Sequence, residues 1–166
     1  MIGQSIAQTC RLEGAASVTV SDPMLSRREL ARDGGFRSLE PGQVAEAGPF
    51  DVSFDAVGIT ATAYAAIQNI PKAAVACFVG LGLPEVSIPL FDVVVGERMV
   101  VGSFCYPDAV FEEALDHLAS GRLDLDPLIG SVESFEDTAR AFEDLATGVR
   151  TDAKIMMSTG LGAPTA

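Results

Sequence analysis

The sequence holds one histidine, His117, and three cysteines, Cys10, Cys77 and Cys105, that lie far apart. Neither Cys-x-x-Cys nor His-x-x-x-His spacing occurs, so the short-range signatures of a redox dithiol or a metal site are missing. An odd number of scattered cysteines fits reduced thiols better than a disulfide framework. Basic residues are scarce as well: 11 Lys and Arg stand against 23 Asp and Glu, for a net charge of −12. Neutralising phosphates takes clustered Lys and Arg, so neither nucleic acid nor an anionic membrane is expected as a partner. No run reaches the roughly eighteen uncharged apolar residues that span a bilayer, and no charged leader precedes an apolar stretch. A cytoplasmic location is the resulting expectation.

What is present suits an α/β protein. The chain of 166 residues is 48% hydrophobic, rich in Ala and Val, and long enough to bury a core as one domain. Strand and helix signals alternate, which favours a mainly parallel sheet covered by helices. Ile2, Ile6 and Cys10 recur at helical spacing, and Gly14 is placed to stop that helix. Val18 and Val20 then belong to a strand. Ser26 is the expected N-cap of a charged helix through Arg32, broken by Asp33-Gly34-Gly35, and residues 40–49 read as loop.

Residues 50–58 read as the next strand, and 62–69 as an Ala-rich helix ended by Pro71. The apolar run 73–80 predicts a central strand buried on both faces, leaving through Gly80 and Gly82. A further strand is expected over 98–104. Residues 107–121 predict an amphipathic helix with Val110, Phe111, Ala114, Leu115 and Leu118 on its apolar face. Ser134 is expected to cap the last long helix, with Phe135, Ala139 and Phe142 facing inward. A closing strand at 153–157 precedes a Gly/Pro-containing tail, 158–166, expected to be mobile.

One spacing carries chemistry. Asp22 ends the strand containing Val18 and Val20 and lies nineteen positions after Gly3, close to the distance between a glycine-rich phosphate turn and the carboxylate that holds an adenosine ribose. The complete turn has three glycines. Gly3 matches the third, which places the first strand and the other two glycines upstream of Met1.

The order of motifs, from Gly3 through Val-Thr-Val-Ser-Asp-Pro, Phe-Asp-Val-Ser-Phe-Asp-Ala-Val-Gly, Cys-Phe-Val-Gly-Leu and Val-Val-Gly-Ser-Phe to Ala119-Ser120-Gly121-Arg122, resembles the cofactor domain and C-terminal end of zinc-containing medium-chain alcohol and polyol dehydrogenases. The resemblance runs from Gly3 to about Met157. It implies a Rossmann-type doubly wound, mainly parallel sheet that lacks its first strand, with residues 1–157 forming a dinucleotide-binding domain.

The resemblance also implies the site. Gly3 would let the first helix approach the pyrophosphate, and Asp22 would accept both adenosine ribose hydroxyls while repelling the extra phosphate of NADP, so NAD is the expected cofactor. Arg27 or Arg28 would flank the adenosine half, or else form a solvated charged face. Val57 and Gly58 match the turn beside the adenine-side ribose and phosphates. Val79, Gly80 and Leu81 match the turn whose backbone meets the nicotinamide carboxamide, and Ser103, Phe104 and Cys105 match the backbone that completes that contact. Lys154 matches a basic position near the last strand, with a solvated lysine as the plainer reading.

In the family the catalytic zinc ligands come from an N-terminal catalytic domain, which lies outside the part that this sequence resembles. No residue is therefore assigned to catalysis or to metal, and His117 reads as a solvated side chain on an acidic helix. The implied function is the NAD-binding portion of an enzyme that transfers hydride between a secondary alcohol and NAD, weakened in cofactor binding and not competent alone. The alternative is a noncatalytic nucleotide-binding or oligomerisation module, in which a strand over 93–101 pairs with a second copy.

Overall fold

A computed structural model describes residues 1–160 of the chain; most of the expected tail, 161–166, lies outside the described residues. Helix α1 (Ile2–Leu12) ends at Glu13, and Gly14 then takes a φ of +91°, a conformation that costs glycine little and other residues much. Gln4 and Ala7 are buried, whereas Ile2 is half exposed.

Strand β1 (Thr19–Ser21), helix α2 (Leu25–Asp33) and strand β2 (Arg37–Leu39) form a βαβ unit, with Thr19 opposite Arg37 and Ser21 opposite Leu39 in parallel register. No strand was expected at 37–39; three residues are too few for a periodic signal. Ser26 does not cap α2. Met24 holds the cap position, and Asp22 Oδ1 accepts the Met24 N–H at 2.8 Å. The expected loop at 40–49 contains a 3-10 turn, Pro41–Gln43, and a short helix α3 (Val44–Ala47).

Strands β3 (Val52–Asp55), β4 (Val75–Phe78) and β5 (Met99–Gly102) form a parallel sheet in the order β3-β4-β5, connected by helices α4 (Thr60–Gln68) and α5 (Leu90–Val95). The 73–80 run does supply the central strand, although only Ala76 within it is fully buried. The expected 93–101 strand is not one strand. Val93, Val94 and Val95 belong to α5, Gly96 and Glu97 turn the chain, and only Met99 onward is extended. Gly96 N–H bonds the Asp92 carbonyl, and the helix stops there.

Among the described residues β1 pairs only with β2, and β3 only with β4, so the Rossmann-type sheet stands as a two-stranded and a three-stranded piece. Helix α1 packs on both β1 and β3 and joins the pieces. One core cluster joins Ala7, Ala31 and Phe36 under α1 and α2; the other joins Ala66, Ile67, Ile70 and Ala76 under α4. Among the described residues Ile67 and Ile70 are the largest fully buried side chains, each worth about 2–3 kcal/mol of apolar burial.

The C-terminal part contains helix α6 (Asp108–Ala119), strand β6 (Ile129–Ser134), helix α7 (Thr138–Ala146) and strand β7 (Lys154–Ser158). β6 and β7 form a separate parallel pair, and the closing strand runs one residue past the expected end. The apolar stripe of α6 is present, but Val110, Phe111, Leu115 and Leu118 stay exposed. In α7 the expected inward face is also turned out: Phe135 and Phe142 are exposed, and Ala141 is the buried residue. Ser134 does not cap that helix; its hydroxyl donates to Asp137 Oδ2 at 2.7 Å, and Asp137 holds the cap position. No helix of the described residues is long and apolar enough to cross a membrane.

Candidate functional site

The site grows from the C-terminal ends of the parallel strands. Because β3, β4 and β5 point the same way, the segments that follow them, Val57-Gly58, Val79-Gly80-Leu81 and Ser103-Phe104-Cys105, share one rim. The N-terminus of α1 joins the same rim, since a methyl on Gly3 would lie 3.7 Å from the Ala56 side chain. That is ordinary contact, so packing within the described residues does not itself demand glycine at position 3. The N–H groups of Ile2 and Gly3 have no carbonyl one turn earlier to bond, and a helix start of this kind favours an anion.

Asp22 follows β1 directly and stands near the same helix start. Burial lowers the Met1 amine below the ordinary α-amino value, the Arg27 charge adds to this, and the Asp22 charge opposes it. The two arginines have separate tasks. Arg28, only 7% exposed, donates to the Asp22 and Pro23 carbonyls at 2.9 and 2.7 Å and to Glu40 Oε1 at 2.7 Å, so it anchors the strand end rather than forming a solvated face. Arg27 donates to the Asp152 carbonyl at 2.8 Å and ties α2 to the start of β7.

A residue for which the sequence suggests no role organises the rim. Asp55, 3% exposed, ends β3; its Oδ1 accepts the Val57 and Gly58 N–H groups at 2.8 and 3.0 Å, and its Oδ2 accepts the Thr62 hydroxyl at 2.9 Å. Its main-chain carbonyl accepts both the Val79 and Gly80 N–H groups at 2.9 Å. One residue thus locks the turns after β3 and β4 together. The available signal was an Asp two residues before a Val-Gly turn, the pattern of a side chain bonding its own backbone.

These bonds divide the expected contact residues. The N–H groups of Val57, Gly58, Val79, Gly80 and Ser103 are already engaged within the chain, the last with the Phe78 carbonyl at 2.9 Å. Gly58 is buried, while Leu81 and Phe104 are among the most exposed apolar side chains and Cys105 is exposed at a φ of +57°. Lys154 sits exposed on β7, in the separate strand pair, which matches its solvated reading. A helix start, a strand-end carboxylate and two close-packed glycine turns on one rim fit an adenine dinucleotide.

Residues 2–120 match the family model for zinc-binding dehydrogenases. The chain belongs to the zinc-binding dehydrogenase family. Among members, a 2-dehydro-3-deoxy-L-galactonate 5-dehydrogenase of Pseudoalteromonas atlantica is 30% identical over 87% of this chain and 45% of its own length. The crystal structure of L-idonate 5-dehydrogenase from Escherichia coli aligns at a TM-score of 0.82 and 26% identity, covering 94% of this chain and 46% of that one. A Sinorhizobium meliloti dehydrogenase structure bound to NADP aligns at a TM-score of 0.77 and 28% identity, covering 84% and 45%. The chain spans less than half the length of the curated relatives it matches.

The catalytic zinc implied by the family does not fit the donors on this rim. Cys105 is the rim's cysteine, and neither it nor the other two cysteines joins a three-ligand grouping among the described residues. His117 departs from its expected solvated position: its side chain is only 12% exposed, on α6.

Proposed function

We propose that residues 1–157 form the NAD-binding part of a zinc-type alcohol or polyol dehydrogenase. When bound, the nicotinamide supplies the hydride acceptor for a secondary alcohol. Asp22 takes the adenosine ribose hydroxyls, the α1 start with Gly3 faces the pyrophosphate, and Leu81, Phe104 and Cys105 border the nicotinamide end. The observation that carries this reading is the position of Asp22, directly after β1, the strand on which the N-terminal helix α1 packs. A carboxylate there accepts paired hydroxyls and repels a 2′-phosphate. No residue of this chain is assigned to proton transfer or to metal in the reaction.

The test is calorimetric titration of the purified chain with NAD and NADP, alongside Asp22→Gly. Measurable NAD affinity with discrimination against NADP, relaxed by the substitution, is expected. An unchanged preference in the variant would remove Asp22 from the ribose site, and absence of heat at millimolar NAD would reject a competent binding unit.

A second reading, a noncatalytic nucleotide-binding or oligomerisation module, has one observation in its favour. Strand β5 is the edge of its sheet, and all four of its residues are exposed. Sedimentation of the chain against Val100→Lys decides it: a dimer that dissociates in the variant supports pairing through β5, and a monomer in both removes that support.

A further inference from the structure

A second group of donors lies at the far end of α1 from the dinucleotide rim. Glu13, the C-terminal cap of α1, meets Glu113 and His117 of α6, and one ligand atom from each residue falls within 4.8 Å of the others. Glu113 and His117 are four apart on a helix, which stacks them on one face. His117 Nε2 is 3.7 Å from Glu113 Oε1, too long for a hydrogen bond. His117 Nδ1 is buried with no hydrogen-bond partner. Among the described residues no Lys or Arg forms an ion pair with Glu13 or Glu113.

Two exposed carboxylates and the imidazole share this place. A carboxylate at the C-terminal end of a helix sits at the negative end of the helix dipole, and Glu13 occupies that place on α1. A second carboxylate and an imidazole without a hydrogen bond converge on it. In a tetrahedral zinc site with bonds of about 2.0–2.1 Å, neighbouring ligand atoms stand roughly 3.4 Å apart, close to the present imidazole–carboxylate separation.

We infer that Glu13, Glu113 and His117 bind a divalent transition-metal ion of the zinc class, with water completing its coordination, and that the ion clips α1 to α6. The site is independent of the cofactor reading, since it shares no residue with the rim. Its role is structural. A complementary clasp lies close by in sequence: the Gln8 amide donates to the Asp124 carbonyl at 2.6 Å, and the Asp124 N–H donates back to Gln8 Oε1 at 2.9 Å.

The test uses the full chain, stripped with chelator and then titrated with zinc chloride by calorimetry and with cobalt chloride by visible absorption. One equivalent of zinc should bind, cobalt should give d–d bands with an imidazole ligand, and zinc should raise the Tm. His117→Gln and Glu13→Gln should each weaken zinc at least tenfold and abolish the Tm rise; Glu13 is exposed, so its variant keeps the fold. Zinc bound equally well by both variants would place the ion elsewhere and overturn the proposal. Absence of binding at 1 mM zinc would overturn it as well.

Discussion

Gly58 and Gly80 face each other backbone to backbone across the turns that follow β3 and β4. A Cβ on Gly58 would run into the Gly80 carbonyl, and a Cβ on Gly80 would run into the Val57 backbone. Gly82 joins them, with Val57 O only 2.7 Å from the place its Cβ would take. Gly58 also holds a φ of +78°. These glycines shape the rim from beneath, by letting two strand ends approach, and the exposed residues beyond them are left to meet a ligand.

Gly58→Ala and Gly80→Ala should therefore destabilise the chain by about 2–4 kcal/mol, since backbone must move and a side chain cannot simply rotate away. Gly102→Ala is the control, because nothing lies within 4 Å of its added methyl. Urea midpoints measure all three, and equal midpoints for Gly58→Ala and Gly102→Ala would contradict the packing argument.

Asp55→Ala should cost on the order of 3 kcal/mol by stranding two N–H groups and a hydroxyl that now bond its carboxylate. Thr62→Val, which removes one of those partners, should cost less. Hydrogen exchange of Val57 and Gly58 reads the effect locally: their amides should lose protection in Asp55→Ala and keep it in Thr62→Val.

The legibility of this rim was uneven. The strand ending at Asp22, the Val-Gly turn and the apolar run of β4 are periodic or punctuated segments, and they were readable. The tie from Asp55 to Val79 and Gly80 joins two strands that are distant in the chain, so no local pattern announces it. The outward face of α7 differs from the expected one for a related reason. An apolar stripe at helical spacing states which residues share a face, and it does not state what covers that face.

Thiol reactivity should separate the cysteines. Burial raises the Cys10 thiol above its ordinary value, which lowers its thiolate fraction, while Cys105 lies exposed. Alkylation at pH 8 followed by peptide mass spectrometry should find Cys105 modified at least about tenfold faster than Cys10. Comparable rates would mean that α1 opens readily.

Acid should loosen the β6–β7 pair. Hydrogen bonds from Arg150 hold Glu133 and Asp152 below the usual carboxylate range, at 2.7 and 2.9 Å. Carboxyls depressed in the folded state stabilise it above their unfolded values, near about 4, and that contribution fades as pH falls through the lower folded values. Arg150→Gln should thus lower the urea midpoint at neutral pH, and the gap from the parent chain should close as pH falls below about 4. A gap independent of pH would show that Arg150 acts through packing alone.

By itself the sequence determined the α/β class, the parallel strand direction implied by alternation, and the acid that follows β1, because each rests on residues within a few positions of one another. Tertiary structure alone decided that Arg28 is buried under the Asp22 turn, that 93–101 divides between a helix and a strand, and that Glu13 meets His117. Those outcomes depend on which distant surfaces come into contact and on the burial that results. Periodicity and spacing measure neither.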